Sequence, residues 1–225
     1  MLIEILGIIG AGKSTLLETF PTDYEIVREP VDENAWLPIF YAELAYVEQL
    51  KKVGRYAPAV STPLMECYLA AKRKNDIDKA KKVGKPVVTD FGRPQVFARM
   101  LLAHKTINEF DYTTFLEISK ACEIVPEIVI YLDSLDRAYV NMKNRGRAIE
   151  SGLTYEYLTN LHREYEKEIA ALESSRTTSI FKIKWGNGGN LNPIIEYLRG
   201  KGLPHQLNEE KFNQITRSSK LCYRD

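Results

Sequence analysis

Cysteine is scarce in this 225-residue chain, and the three present, Cys67, Cys122 and Cys222, stand far apart. An odd count without a C-x-x-C pair argues against a disulfide framework and predicts reduced, mostly buried thiols. Histidine is equally rare. His104, His162 and His205 have no metal-ligand spacing among themselves and read as surface or partly buried side chains. An excess of either charge is also missing: 31 basic against 30 acidic residues leave a net charge of +1. That argues against a nucleic-acid partner, which asks for a strongly basic surface, although a local basic channel stays open. No apolar run approaches the roughly 20 residues of a membrane helix. The first apolar run is too short for a signal peptide. A cytoplasmic protein with no membrane partner is therefore expected. There is no internal repeat and no low-complexity segment.

What the chain does have begins at Gly7. Gly7-Ile8-Ile9-Gly10-Ala11-Gly12-Lys13-Ser14 fits G-x-x-x-x-G-K-[ST] without a mismatch. A short apolar run, Leu2 to Leu6, precedes it as a buried strand, and Thr15 to Phe20 continues as a helix. Strand, glycine loop and helix together make a phosphate-binding loop. Its glycines let backbone N–H groups turn toward phosphate oxygens, and the helix start adds its positive end. Lys13 is placed for the terminal phosphates and Ser14 for a magnesium ion. Thr15 completes the donor-binding set of Gly7, Gly10, Ala11, Gly12, Lys13 and Ser14.

An apolar fraction of 44% suffices for one sizeable α/β domain. Further strands are predicted at 24–27, 86–89, 127–132 and 179–184. Helices are predicted at 36–53, 62–82, about 94–104, 110–122, 135–145, 154–174 and 194–198. Thr62 is a candidate cap with Pro63 in the first turn. The basic residues Lys72, Arg73, Lys74, Lys79, Lys81 and Lys82 read as a solvated face. This alternation predicts a central, parallel, five-stranded sheet with helices on both faces.

In such sheets ligands bind beyond the C-terminal strand ends. Glu29, Asp90 and Asp133 fall there, beside the loop that carries Lys13. Pro30 holds Glu29 extended. Phosphoryl transfer needs positioning, charge neutralisation and a base near the attacking hydroxyl. Asp90 suits the metal, and Glu29 suits the base. Asp133 reads equally as an ordinary loop residue. Arg145 and Arg147 follow a helix with a glycine between them and precede Glu150. Guanidinium groups bind phosphate oxygens in parallel pairs. The segment at about 143–153 is therefore read as a lid over the donor, with a basic helix end as the alternative.

Together these features resemble the deoxynucleoside kinase family over about residues 1–198, on a P-loop kinase fold. Four pieces carry the likeness: Gly7 to Ser14; Glu29-Pro30-Val31; Arg145-Gly146-Arg147-Ala148-Ile149-Glu150; and Tyr155-Glu156-Tyr157-Leu158 with Leu161-His162 and Tyr165-Glu166. The resemblance implies ATP as donor, Mg2+, and transfer to the 5′-hydroxyl of a deoxynucleoside with Glu29 as base. It also implies arginine contacts to phosphate, and a grip on the 3′-hydroxyl by Glu150 and Tyr41. The nucleoside is expected between the helices at 36–53 and 62–82. Trp36 either lines the nucleoside site or packs. A homodimer through packed helices is implied as well.

Two departures stand out. The family's acidic-arginine-serine run is replaced by Asp90-Phe91-Gly92-Arg93, so Arg93 is a candidate for the missing arginine. Glu66 stands where the family has a base-reading glutamine. An ionised Glu66 would favour bases presenting N–H donors, such as the guanine edge or an exocyclic amine; the alternative is an exposed surface residue. Phe97 and Arg99 are candidates for the base pocket, with packing as the alternative for Phe97. Residues 199–225 lie outside the resemblance, with one helical possibility near 208–216. They are read as a tail, an arm on a partner subunit, or a segment packed on the domain. Two other activities compete. A thymidylate-type monophosphate kinase would want arginine where Glu29 sits. A non-kinase nucleotide hydrolase of the GTPase kind would want an N-K-x-D motif, which Lys184-Trp185-Gly186-Asn187 does not match.

Overall fold

Strands and helices alternate along the chain much as the apolar runs predict. A computed structural model describes residues 1–31, 34–55, 58–59, 61–185 and 190–221. Among these, five strands form one parallel sheet: β1 (Leu2–Leu6), β2 (Glu25–Val27), β3 (Val87–Thr89), β4 (Ile128–Asp133) and β5 (Ser179–Lys184), in the order β2-β3-β1-β4-β5. Every residue of β1 is buried, and β3 and the first five residues of β4 are buried too. Strands hidden on both faces have to read as continuous apolar runs. Glu4 breaks that rule with no exposed surface at all.

The connecting helices are α1 (Lys13–Leu17), α2 (Trp36–Lys52), α3 (Ser61–Lys81), α4 (Pro94–Ala103), α5 (Glu109–Lys120), α6 (Leu135–Arg145), α7 (Tyr155–Ser175) and α8 (Asn192–Gly200). Caps explain several starts. Asn108 accepts the N–H of Asp111 at 2.8 Å, and Thr154 accepts that of Tyr157 at 3.1 Å. Pro94 fills the first turn of α4, where its missing N–H costs nothing.

Three boundaries differ from expectation. The helix predicted over 15–20 begins at Lys13 and ends at Leu17, closing with tight bonds from Thr19 N–H to Leu16 and from Phe20 N–H to Leu17. α3 begins at Ser61, not at a Thr62 cap; the carboxylate of Glu43 on α2 accepts the Ser61 N–H at 3.0 Å and its hydroxyl at 2.5 Å. A cap brought in from another helix leaves no local signal. The tail forms a further helix, α9 (Glu209–Leu221), longer than the 208–216 reading. Cys222, Gly186 and Asn187 lie outside the described residues. No described helix is long and apolar enough to cross a membrane.

Candidate active site

The phosphate loop leaves β1 and turns into α1 with two glycines in the left-handed region, Gly10 (φ +82) and Gly12 (φ +95). Neither tolerates a side chain. A Cβ at Gly10 would sit 2.2 Å from the Ala138 carbonyl oxygen of α6, and one at Gly12 would sit 2.9 Å from Nε1 of Trp185. The loop is thus clamped between α6 and the end of β5. Asn141 of α6 donates from Nδ2 to the Gly10 carbonyl at 2.9 Å. Lys13 Nζ lies along the loop, donating to the carbonyls of Gly7 (3.0 Å) and Ile8 (3.1 Å). Gly7 and Ala11 shape the loop from the core side, with Ala11 almost fully buried. Gly10, Gly12, Lys13, Ser14 and Thr15 face a cavity of about 940 Å³.

Glu29 and Asp90 enter the same cavity from the ends of β2 and β3. They are tied to each other: the Glu29 N–H donates to Asp90 Oδ1 at 3.1 Å. Burial pushes the Glu29 carboxyl above the usual glutamate range. Lys13 pulls it back, Asp90 raises it further, and the Gly92 N–H hydrogen-bonds to it. Burial likewise lowers the Lys13 ammonium, against the pull of Glu29 and Asp90. The carboxyl is thus shifted toward its neutral form and the ammonium beside it toward the free amine.

α2 and α3 wall the other end. Phe40 and Tyr41 line it from α2, and Met65, Glu66 and Leu69 from α3, with Phe97 and Tyr165 opposite. Phe97 meets Tyr165 edge to face, their ring centroids 6.4 Å apart. Burial keeps the Tyr41 phenol protonated, and Glu150 and Glu29 reinforce this, so its hydroxyl is a donor. Glu66 is 2% exposed, which removes the surface alternative. Its Oε2 finds no partner among the described residues.

The lid follows α6. Arg145 grips Glu150 with Nη2 at 2.7 and 2.6 Å from its two oxygens, and Arg147 Nη1 stands 3.6 Å from the same carboxylate. Glu150 is 5% exposed, and all three residues line the cavity. Lys143 holds the segment down through the carbonyls of Ser151 (3.2 Å) and Leu153 (2.9 Å).

Several candidates lie elsewhere. Arg93 does not face the cavity. Its guanidinium is 95% hidden and spent on Glu4 (Nε to Oε2, 2.9 Å) and Glu168 (Nη1 to Oε1, 2.8 Å). Arg99 is turned to Glu168 (2.7 Å) and Glu164 (3.4 Å). Arg73, read as part of a solvated face, is buried against Glu4. Trp36 is 36% exposed and leaves the cavity to its neighbour Leu37. Asp133 is held by His162 Nε2 at 3.0 Å, with Glu166 at 3.9 Å from the same nitrogen. These three could together hold an ion, but they sit off the cavity lining.

Sequence reasoning missed Asn141, one turn before Arg145 on the same helix face, and Tyr165, an aromatic inside a strongly amphipathic helix. It also missed Trp185 and the α9 residues that line the cavity. Helical spacing from Arg145 would have found the first; nothing local marks the others.

The family model for deoxynucleoside kinases matches residues 3–191. The chain belongs to the deoxynucleoside kinase family. Among relatives of this kinase, the deoxyadenosine kinase of Dictyostelium discoideum is 27% identical over 235 residues, covering 97% of this chain and 88% of that protein. The deoxyadenosine/deoxycytidine kinase of Bacillus subtilis is 24% identical over 184 residues, covering 77% and 78%. A solved deoxyadenosine kinase from M. mycoides, with products dCMP and a flexible dCDP bound, superposes with a TM-score of 0.71 at 25% identity, over 89% of this chain and 98% of that one.

Proposed function

We propose that this kinase transfers the γ-phosphoryl group of ATP to the 5′-hydroxyl of a deoxynucleoside whose base is adenine or cytosine, with Glu29 as general base. The observation that carries the reading is the Glu29 carboxyl. It sits in the same cavity as Lys13 and Asp90, between the phosphate loop and the α2–α3 walls. Glu29 takes the 5′-hydroxyl proton as the new oxygen–phosphorus bond forms and the bond to the β-phosphate bridge breaks, releasing ADP. Lys13, Arg145 and Arg147 neutralise phosphate charge. Tyr41 and Glu150 orient the sugar through its 3′-hydroxyl. The hydroxyl of Ser14 and the carboxylate of Asp90 are hard oxygen donors that line the same cavity, a set that fits Mg2+. When bound, that ion supplies charge neutralisation at the phosphates.

Glu66 supports the choice of base. Burial raises its carboxyl well above the usual range, and the charge of Glu29 adds to this. The neutral acid offers one O–H donor and one carbonyl acceptor, as a glutamine amide does. Adenine and cytosine each present an exocyclic amine beside a ring-nitrogen acceptor, the complementary pair. Of the N–H donors expected to suit Glu66, the exocyclic amine is the one proposed, in place of the guanine edge. Glu66→Gln should keep the base preference, with kcat/KM within about threefold. Glu66→Leu should lose roughly ten- to a hundredfold, because it leaves the base's polar edge unpaired at about 1–3 kcal/mol. The raised pKa also has a sign for stability. Its contribution is full below the ordinary glutamate value of about 4.3 and is lost as pH rises through the folded value. Glu66→Gln should therefore melt higher than the parent at alkaline pH and equally at pH 4. A change of base preference in the glutamine variant would show that Glu66 works ionised.

The activity test is a panel of deoxynucleosides and their monophosphates incubated with ATP and magnesium. Labelled phosphate should appear on deoxyadenosine or deoxycytidine. Phosphate on monophosphates alone would mark the thymidylate-type reading, and ATP loss without an acceptor the hydrolase. A cytoplasmic homodimer is part of the proposal. Leu64 and Tyr68 on α3 and Phe110 and Ile118 on α5 are exposed apolar side chains on two helices that pack together. Light scattering should give about twice the 25.8 kDa chain mass, and a monomer at micromolar concentration would count against it.

A further inference from the structure

The cavity lining is wider than the acceptor site alone requires. Besides Glu29, Glu66, Phe97 and Tyr165, it includes Gly12 and Thr15 of the phosphate loop and residues of α6 and α9. On α6 the lining residues Arg137, Asn141 and Asn144 fall at helical spacing on one face. On α9 the lining includes Phe212, Ile215 and Thr216, which share a face, and also Gln214. At about 940 Å³ the cavity is near the top of the roughly 300–1,000 Å³ range of single-ligand sites. Its lining joins the phosphate loop to α2 and α3 and also to α6 and α9, so that a donor and an acceptor could meet at Lys13.

α9 is built to hold this position. Asn208 caps it, accepting the Lys211 N–H at 2.8 Å, and Glu209 and Glu210 complement its positive end. The cap is fixed to the end of α1 by the Asn208 N–H on the Thr19 carbonyl, 2.8 Å. Just before it, the Tyr24 hydroxyl donates to the Pro204 carbonyl at 2.7 Å. Lys211 reaches Glu18, at the C-terminal end of α1, at 2.6 Å. Phe212, 4% exposed, lies edge-on to Trp185 with ring centroids 5.7 Å apart. Trp185 is the residue that presses on Gly12. A continuous contact thus runs from the tail helix through Trp185 to the phosphate loop, although α9 lies beyond the residues matched by the family model.

We propose that α9 forms one wall of the donor-nucleotide site, with Phe212, Ile215 and Thr216 packing along the base and ribose of the triphosphate whose phosphates lie on the Lys13 loop. The inference rests on the reading that this loop holds the donor. The apolar side chains supply a face for a planar base. The tail is thus a specificity element for the donor.

Equilibrium binding of Mg-ATP, without any acceptor, tests it by calorimetry on the full chain, on a chain ending at Leu207, and on Ile215→Asp. The last places a carboxylate beside the triphosphate without removing the helix or its Phe212 anchor. ATP should bind at least tenfold more weakly to both variants, while the dissociation constant for deoxyadenosine stays within about twofold. Unchanged or tighter ATP binding in Ile215→Asp would overturn the inference. So would equal losses for ATP and deoxyadenosine, which would mark α9 as a structural prop. A full chain that binds ATP but phosphorylates no deoxynucleoside would end the acceptor reading and leave these binding results to decide the donor wall. A full chain that binds no ATP would end both.

Discussion

Replacing Glu29 by glutamine should lower kcat by about 10²–10⁴-fold while the deoxynucleoside still binds within about threefold of its original affinity. The substitution keeps the shape of the side chain and its acceptor for the Gly92 N–H, but removes the carboxylate proposed to take the proton. That loss corresponds to about 3–5 kcal/mol of transition-state stabilisation. A matching pH profile is expected. The base must be ionised, and burial with Asp90 moves its pKa upward against the pull of Lys13. So kcat/KM of the unaltered enzyme should fall on the acid side, with a midpoint above the ordinary glutamate range. That limb should persist in Glu29→Asp and vanish from the residual activity of Glu29→Gln. Steady-state kinetics from pH 4.5 to 9, with nucleoside binding measured separately, provide the check. Turnover in Glu29→Gln within tenfold of the parent would remove the residue from this role.

What the sequence made legible is what a local pattern or a strand end encodes. The glycine loop, the order of strands and helices, and the placement of Glu29 and Asp90 at the ligand edge all follow from short-range rules. The lid is a mixed case. Arg145, Arg147 and Glu150 were recognisable as a group, but their arrangement was not. Both arginines face Glu150 while lining the cavity. Directions across the fold were illegible. Arg73 sits in a lysine-rich stretch that reads as solvated, yet the helical turn that carries it points at β1. Arg93 and Arg99 stand beside the Asp90 motif, yet they turn to carboxylates 65 to 89 residues away in sequence. The tail helix has a good local cap, but nothing in residues 199–225 names α1 and Trp185 as its seat.

The same network gives the largest expected effect on stability, at Glu4. It is a carboxylate in the middle of the central strand, with no exposed surface. Its Oε1 meets Arg73, and its Oε2 takes Nε and Nη2 of Arg93 at 2.9 and 2.8 Å. Arg93 passes the chain of charge to Glu168, which also accepts Arg99. β1, α3, α4 and α7 are thereby pinned at one point below the cavity. Glu4→Ala leaves Arg73 buried beside another guanidinium, with burial and Arg93 both opposing its charge. Removing one partner of a buried pair costs about 3–5 kcal/mol, since the survivor keeps its desolvation penalty. For a chain of this size that lowers Tm by on the order of 10 °C. The cost belongs to the stranded arginine and not to the absence of an ion pair, so it should be reversible. Glu4→Leu combined with Arg73→Met removes both charges from that side and leaves Arg93 on Glu168. It should recover most of the lost stability in denaturant titration. If Glu4→Ala unfolds within 1 kcal/mol of the parent, the pairing carries little of the fold. If the double variant is no better than the single one, Glu4 acts through Arg93 and the loop after Asp90, and the loss should then also appear as a raised KM for the nucleoside.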